Sequence, residues 1–190
     1  MTKTEANYSL KQTLDKFAAE YNAAAEASRI TLMQSGQAGG LIPEPGHLYG
    51  NEAKAAFDAK AREYQQQADA ILDTQVAALH AKMAEAPTQE AVRVVQMLQL
   101  RNEMTPGEVD ELLKAYGSNA QTYKSIASVA AAHKVHVAPC PLDEELKTLL
   151  NLQTSLRNTL TTHSAEAGHT SAGFIEWMKM FIDGALPAEG

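Results

Sequence analysis

Five side chains in the C-terminal half have the right chemistry to hold a metal: His133, His136, Cys140, His163 and His169. Zinc takes His and Cys in sets of four at short spacings, and His133, His136 and Cys140 follow one another by three and four. The set does not close. His133 falls in the last turn of a helix, where a cation complements the macrodipole, and the others sit in linkers or bracket a helix end. Cys140 stands between Pro139 and Pro141 with no cationic cluster in sequence, so nothing marks it as a low-pKa nucleophile. Asp143-Glu144-Glu145 opens a helix, where carboxylates favour the positive end without any acid-base role. Phosphate-binding Gly-rich loops, Gly-x-Ser-x-Gly elbows and His-Glu-x-x-His pairs are missing from the sequence. The expectation is a protein that is not an enzyme and needs neither metal nor cofactor.

A second chemistry to weigh is base reading. Met104 to Val135 reads as helix, short turn, helix, the outline of a DNA-binding motif. A recognition helix needs Arg, Lys, Asn or Gln against bases and basic neighbours for phosphates. The second helix here offers Asn119, Gln121, Lys124 and Lys134, then alanines and β-branched residues. Residues 88–134 carry 5 basic and 5 acidic side chains, and the whole chain has net charge −7. The electrostatic attraction behind most nucleic-acid binding is therefore weak, and no specific nucleic-acid partner is expected. The negative charge sits at the two ends: 8 basic against 11 acidic residues in 1–87, and 3 against 7 in 135–190.

The elements that position these residues read as helices throughout. Hydrophobic residues make up 45% of the 190 and aromatics only 6%, a balance that favours helices packed through small side chains over a sheet. Ser9 with Gln12 has the capping-box form, and Leu10, Leu14, Phe17, Tyr21 and Ala24 follow at steps of four and three, which predicts a helix from Ser9 to about Ser35. Gly36 to Gly50 breaks it with five glycines and two prolines, and Leu41, Ile42 and Leu48 mark this as a loop that docks on something. Asn51 to Ala86 runs without Gly or Pro and predicts a rod of ~54 Å. Phe57, Tyr64, Ile71 and Ala78 form one apolar stripe on it, which hands over to Leu72, Val76, Leu79 and Met83. Its opposite face, with Lys54, Asp58, Arg62, Gln65, Gln66, Asp69 and Asp73, is expected to stay polar.

Thr88 caps a third helix, with Val92, Val95, Met97, Leu98 and Leu100 as its core residues. Thr105-Pro106-Gly107-Glu108 is the strongest helix start in the chain, and that helix stops at Gly117. Ser118-Asn119 cap the next helix. Val135 to Pro141 is an extended linker, and Leu142, Leu146, Leu149, Gln153, Leu156 and Leu160 give a leucine-rich helix. "AEAGHTSAG" breaks that helix before a last one carrying Phe174, Trp177, Met178, Phe181 and Ile182, which Gly184 stops. The expected fold is all-α: a long coiled-coil-like helical hairpin in residues 1–87, a small helical bundle in 88–136, and C-terminal helices in 137–190. No window reaches the ~20 apolar residues that span a bilayer, and the polar N-terminus lacks a secretory leader, so the expected location is the cytoplasm.

Two faces are candidates for protein contact. The Phe57-Tyr64-Ile71 stripe asks for more cover than one 27-residue helix supplies, so a second chain or a partner is expected there. The Trp177-Met178-Phe181 face of the terminal helix is either core or a docking surface that fills a partner's groove.

The segment "VQMLQLRNEMTPGEVDELLKAYGSNAQTYKSIASVAAAHKV", Val95 to Val135, resembles uncharacterised helical proteins from the structural-gene regions of phages and prophages of Gram-positive bacteria. The shared outline covers residues 9–135: two long helices around a Gly-Pro break, an apolar helix, the Thr105-Pro106 start, the Tyr116-Gly117-x-Asn119 turn and a closing His133-Lys134. The resemblance implies virion structure or assembly in the host cytoplasm or the particle itself, and no functional residue transfers with it. A competing expectation is a phage-encoded acidic inhibitor that covers a basic channel of a host defence or nucleic-acid-processing complex.

Overall fold

In the computed structural model, which describes residues 1–36, 39 and 42–187, every regular element is helical and no strand occurs among the described residues. In chain order they are α1 (Lys3–Gln34), α2 (Asn51–Met83), α3 (Gln89–Gln99), α4 (Pro106–Tyr116), α5 (Ala120–Ala132), α6 (Pro141–Thr159) and the one-turn α7 (Thr162–Ser164). A π-helical turn (Ala165–His169) and α8 (Ala172–Ala185) complete the chain. The short-range caps fall where the sequence puts them. Thr88 Oγ1 accepts from Ala91 N, Thr105 and Glu108 form a reciprocal capping box with Pro106 in the first turn, and Asn119 caps α5 through Thr122 N.

One start differs. The box that opens α1 is Thr2 with Glu5, not Ser9 with Gln12. Both fit the motif, but Ala6 and Asn7 are buried in the folded chain, so tertiary cover extends the helix past the later candidate. The result is a 32-residue first helix, longer than the sequence period indicates.

The helices gather into two compact units, residues 1–75 with 148–190, and residues 76–147. These are not the three expected segments 1–87, 88–136 and 137–190. The reason lies in the polar face of α2, on which Lys54, Asp58, Gln65 and Asp69 are half-buried against the C-terminal helices while Arg62, Gln66 and Asp73 stay exposed as expected. Gln153, 8% exposed, donates to Asp73 at 2.8 Å and to Asp69 at 3.3 Å, and Arg157 Nε bonds both oxygens of Asp69. Gln65 donates to the Arg157 carbonyl, Thr162 Oγ1 donates to Asp58, and Lys54 Nζ lies 3.0 Å from Glu166. The C-terminal helices thus belong with the N-terminal hairpin.

The buried line along α2 runs Phe57, Ala61, Tyr64, Ala68, Leu72, Gln75 and Leu79. A straight α-helix drifts ~20° per heptad against a seven-residue repeat, so the line leaves the Phe57-Tyr64 register at Ile71, which is half-buried, and passes to Leu72. Within the first unit Phe17, Tyr21, Phe57 and Tyr64 form an aromatic cluster, with ring centroids 5.6 Å apart for Phe17–Phe57, 5.1 Å for Tyr21–Phe57 and 6.0 Å for Phe17–Tyr64. Burial drives the Tyr21 phenol up to about 12, with the Glu166 charge adding to it. Burial, followed by the hydrogen bond with Glu20, does the same for Tyr64. The loop docks on its own hairpin: Leu48 is buried, Tyr21 Oη donates to the Gly46 carbonyl, and Tyr49 N donates to Ser28 Oγ. Ile42 stays exposed, and Leu41 lies outside the described residues.

In the second unit Leu98, Met104, Val109, Ile126, Ala130 and Val135 make the core. α3 is less buried than its composition suggests. Leu98 is inside, while Met97 and Leu100 are 68% and 85% exposed and Val92 is exposed as well. Gly117 ends α4 at a close approach: a Cβ there would stand 2.3 Å from the Leu113 carbonyl oxygen and 3.1 Å from the Tyr123 ring.

Candidate protein-docking site

The terminal helix is built so that its two apolar sides meet different surroundings. Gly168, at φ +88 in the left-handed region that favours glycine, turns the chain out of the π-helical segment. Ser171 then caps α8 through Phe174 N. Ile175, Met178, Ile182 and Ala185 recur at helical spacing and are buried. The side they form lies along α1 in antiparallel order. Thr170 reaches Asn22, Lys179 reaches Asp15 at 2.8 Å, Lys11 reaches Asp183 at 2.5 Å, and Asn7 donates to both Asp183 and the Leu186 carbonyl at 2.8 Å.

Those contacts are felt electrostatically. Lys11 and then Asn7 hold the Asp183 carboxyl below the usual range, and the hydrogen bonds to Asp15 and Glu176 raise the Lys179 ammonium. Lys179 and Asp183, four residues apart, clasp α1 along one flank of the buried apolar stripe, and stripe and clasp together fix the rotation of the helix about its own axis.

With that rotation fixed, the remaining aromatics face outward as a ladder. His169 stacks on Phe174 at 4.3 Å and 9°, Phe174 meets Trp177 at 5.5 Å, and Trp177 stacks on Phe181 at 6.1 Å and 15°. Trp177 is 55% exposed and Met180 71%, while Phe174 and Phe181 are half-buried.

The residues proposed from sequence as a protein interface therefore separate. Trp177 and Phe181 lie on the outward ladder. Met178 is in the core at 1% exposure, because neighbours in a helix point ~100° apart and the stripe on α1 claims it rather than Trp177. Phe57 and Tyr64, at 3% and 7%, are in the aromatic cluster with Phe17 and Tyr21 and offer nothing to a partner. The longer α1 and the C-terminal helices supply the cover that a 27-residue helix could not. Ile71 is half-buried on α2. Met180 was not singled out from sequence, although it lies one turn beyond Trp177 on the same side.

The other candidate chemistries have concrete positions. Asn119 is occupied as the α5 cap and as donor to the Glu85 carbonyl, and Lys124 pairs with Asp143. Cys140 is buried. Among the described residues no group of three or more His, Cys, Asp or Glu side chains converges at metal-binding distance, and no helix is long and apolar enough to cross a membrane. Comparison with protein-family models, curated proteins and solved structures gave no match.

Proposed function

We propose that this chain is a non-enzymatic phage structural or assembly protein that works through helix-mediated contacts with other proteins, with the outward ladder of α8 as its contact face. The observation that carries the contact is Trp177. It is the only tryptophan, it is more than half exposed, and it stands on a helix whose other apolar side is already committed to α1. Exposed large aromatics clustered on one face mark interaction sites more often than idle surface, and aromatic anchors carry much of the energy where such sites bind. The phage setting rests on the resemblance over residues 9–135, and on a chain whose recognisable design is capping, packing and clasping. Host cytoplasm during assembly, or the particle itself, is the corresponding location.

The test is fractionation of particles from an induced or infected host, with wild type and Trp177→Ala compared. Wild type should travel with capsid and portal proteins, and the variant should be depleted from that fraction while folding normally. Recovery of wild type instead on a host defence or nucleic-acid-processing complex would favour the acidic-inhibitor reading and remove the assembly one.

A further inference from the structure

We propose that α8 is an exchangeable arm, which leaves its own α1 to lie on the α1 of a second copy while that copy's α8 takes the place it left. The surface that receives the arm is the α1 face that α8 already fits, and what the outward ladder meets plays no part.

Two separate sets of bonds hold the C-terminal segment, and they part at Gly168. Up to Glu166 the chain is fastened to α2, where Thr162 Oγ1 donates to Asp58 and Glu166 pairs with Lys54 at 3.0 Å. From Thr170 onward the described polar contacts with other helices go to α1, through Asn22, Asp15, Lys11 and Asn7. Between the two sets stand Ala167, Gly168 and His169. The first two are exposed, and Gly168 makes the turn at φ +88. Rotation at that residue swings α8 away as a body without breaking either bond to α2.

The turn itself gains by opening. Its π-helical geometry leaves His169 Nδ1 buried with no hydrogen-bond partner among the described residues, and a buried polar atom left unsatisfied is costly. Straightening the turn gives that nitrogen to water. The arm meanwhile regains on the second copy what it left: the Ile175, Met178 and Ile182 stripe against α1, Lys179 on Asp15, and Asp183 on Lys11. The exchanged pair and the single chain therefore differ only at the turn, the condition under which swapping an identical element costs least. Lost translational and rotational freedom favours the single chain in dilute solution, so concentration sets the balance. An exchanged pair carries two outward ladders in place of one.

Charge reversal tests the exchange. Lys11→Glu with Asp15→Lys reverses the seam on α1, and Lys179→Glu with Asp183→Lys reverses it on α8. Either doubly changed chain alone sets like charges together, both within itself and in a pair with its own kind. Unfolded together and refolded at submillimolar concentration, the two should form a mixed two-chain species, because crossing the arms restores opposite charges at both seams. Sedimentation should find this species favoured about tenfold or more over the pairs that either forms alone. Gly168→Ala is an independent variant: its methyl meets nothing within 4 Å, but an alanine resists the left-handed turn. It should favour exchange by about tenfold at each turn, and so about a hundredfold in the pair. Reversed chains that fold only when mixed would support the exchange equally, and if they fold in neither case Gly168→Ala decides alone. A mixture of folded chains that pairs no more than its components, or Gly168→Ala that stays as single as wild type at every concentration, would overturn the proposal.

Discussion

Gln153 Nε2 donates to Asp73 Oδ1 at 2.8 Å, joining two helices across 80 positions of sequence. The bond is one strand of the polar layer that attaches α6 to α2 within the first unit, and Gln153 is buried enough to depend on it. Gln153→Ala should destabilise the protein by about 1–2 kcal/mol. Combined with Asp73→Ala it should cost less than the sum of the two single changes, by about 0.5–1.5 kcal/mol. Chemical denaturation of the four proteins measures this, and strict additivity would mean that the contact carries no energy.

Adjacent residues on α8 should behave in opposite ways. Met178→Ala opens a cavity against α1 and should cost about 2–5 kcal/mol. Trp177→Ala loses only ring contacts with Phe174 and Phe181 and should cost at most about 1.5 kcal/mol. Denaturation midpoints of the two variants would contradict this fold if Trp177→Ala proved the more damaging.

The helices and their caps were legible in the sequence because caps and breaks are local. Thr88, Thr105 with Glu108, Gly117 and Asn119 each act within four residues of where they stand. The pairing of helices was not. Asp69 and Asp73 at helical spacing look like a solvated face, and only Gln153 and Arg157, far along the chain, make that face the place where α6 is bonded to α2. The choice between Ser9 and Thr2 as the α1 cap was equally beyond local reading, since both satisfy the motif. Within the site, the apolar character of Trp177 and Met178 was plain. Which of the two faces outward depends on where α1 lies.

Alkali should loosen the first unit before the chain as a whole is fully ionised. Tyr21 and Tyr64 are held up to about 12 in the folded protein, against ~10 for an unfolded tyrosine. The folded state keeps protons that the unfolded state releases. Their contribution is therefore complete below pH ~10 and lost as pH climbs from there through about 12. Stability followed against pH should fall across that interval, and Tyr21→Phe should flatten the fall. A pH-independent midpoint there would contradict the burial of both phenols.

Duplex or single-stranded nucleic acid should bind weakly and without sequence preference, because Asn119 and Lys124 are engaged within the fold and the net charge is −7. Titration of labelled strands at low salt checks this. A tight complex that weakens steeply with added salt would reassign the α4–α5 surface.

If α8 presents Trp177 outward for contact with another protein surface, the single tryptophan reports that contact directly. Trp177 emission and its quenching by acrylamide should indicate a solvated indole in dilute protein. Emission should shift to the blue and quenching should fall when the particle fraction that wild type travels with is added, and Met180→Glu should weaken both changes. Buried-type emission in dilute protein, unchanged by the particle fraction and by Met180→Glu, would mean that Trp177 belongs to the core and that α8 is not a docking helix.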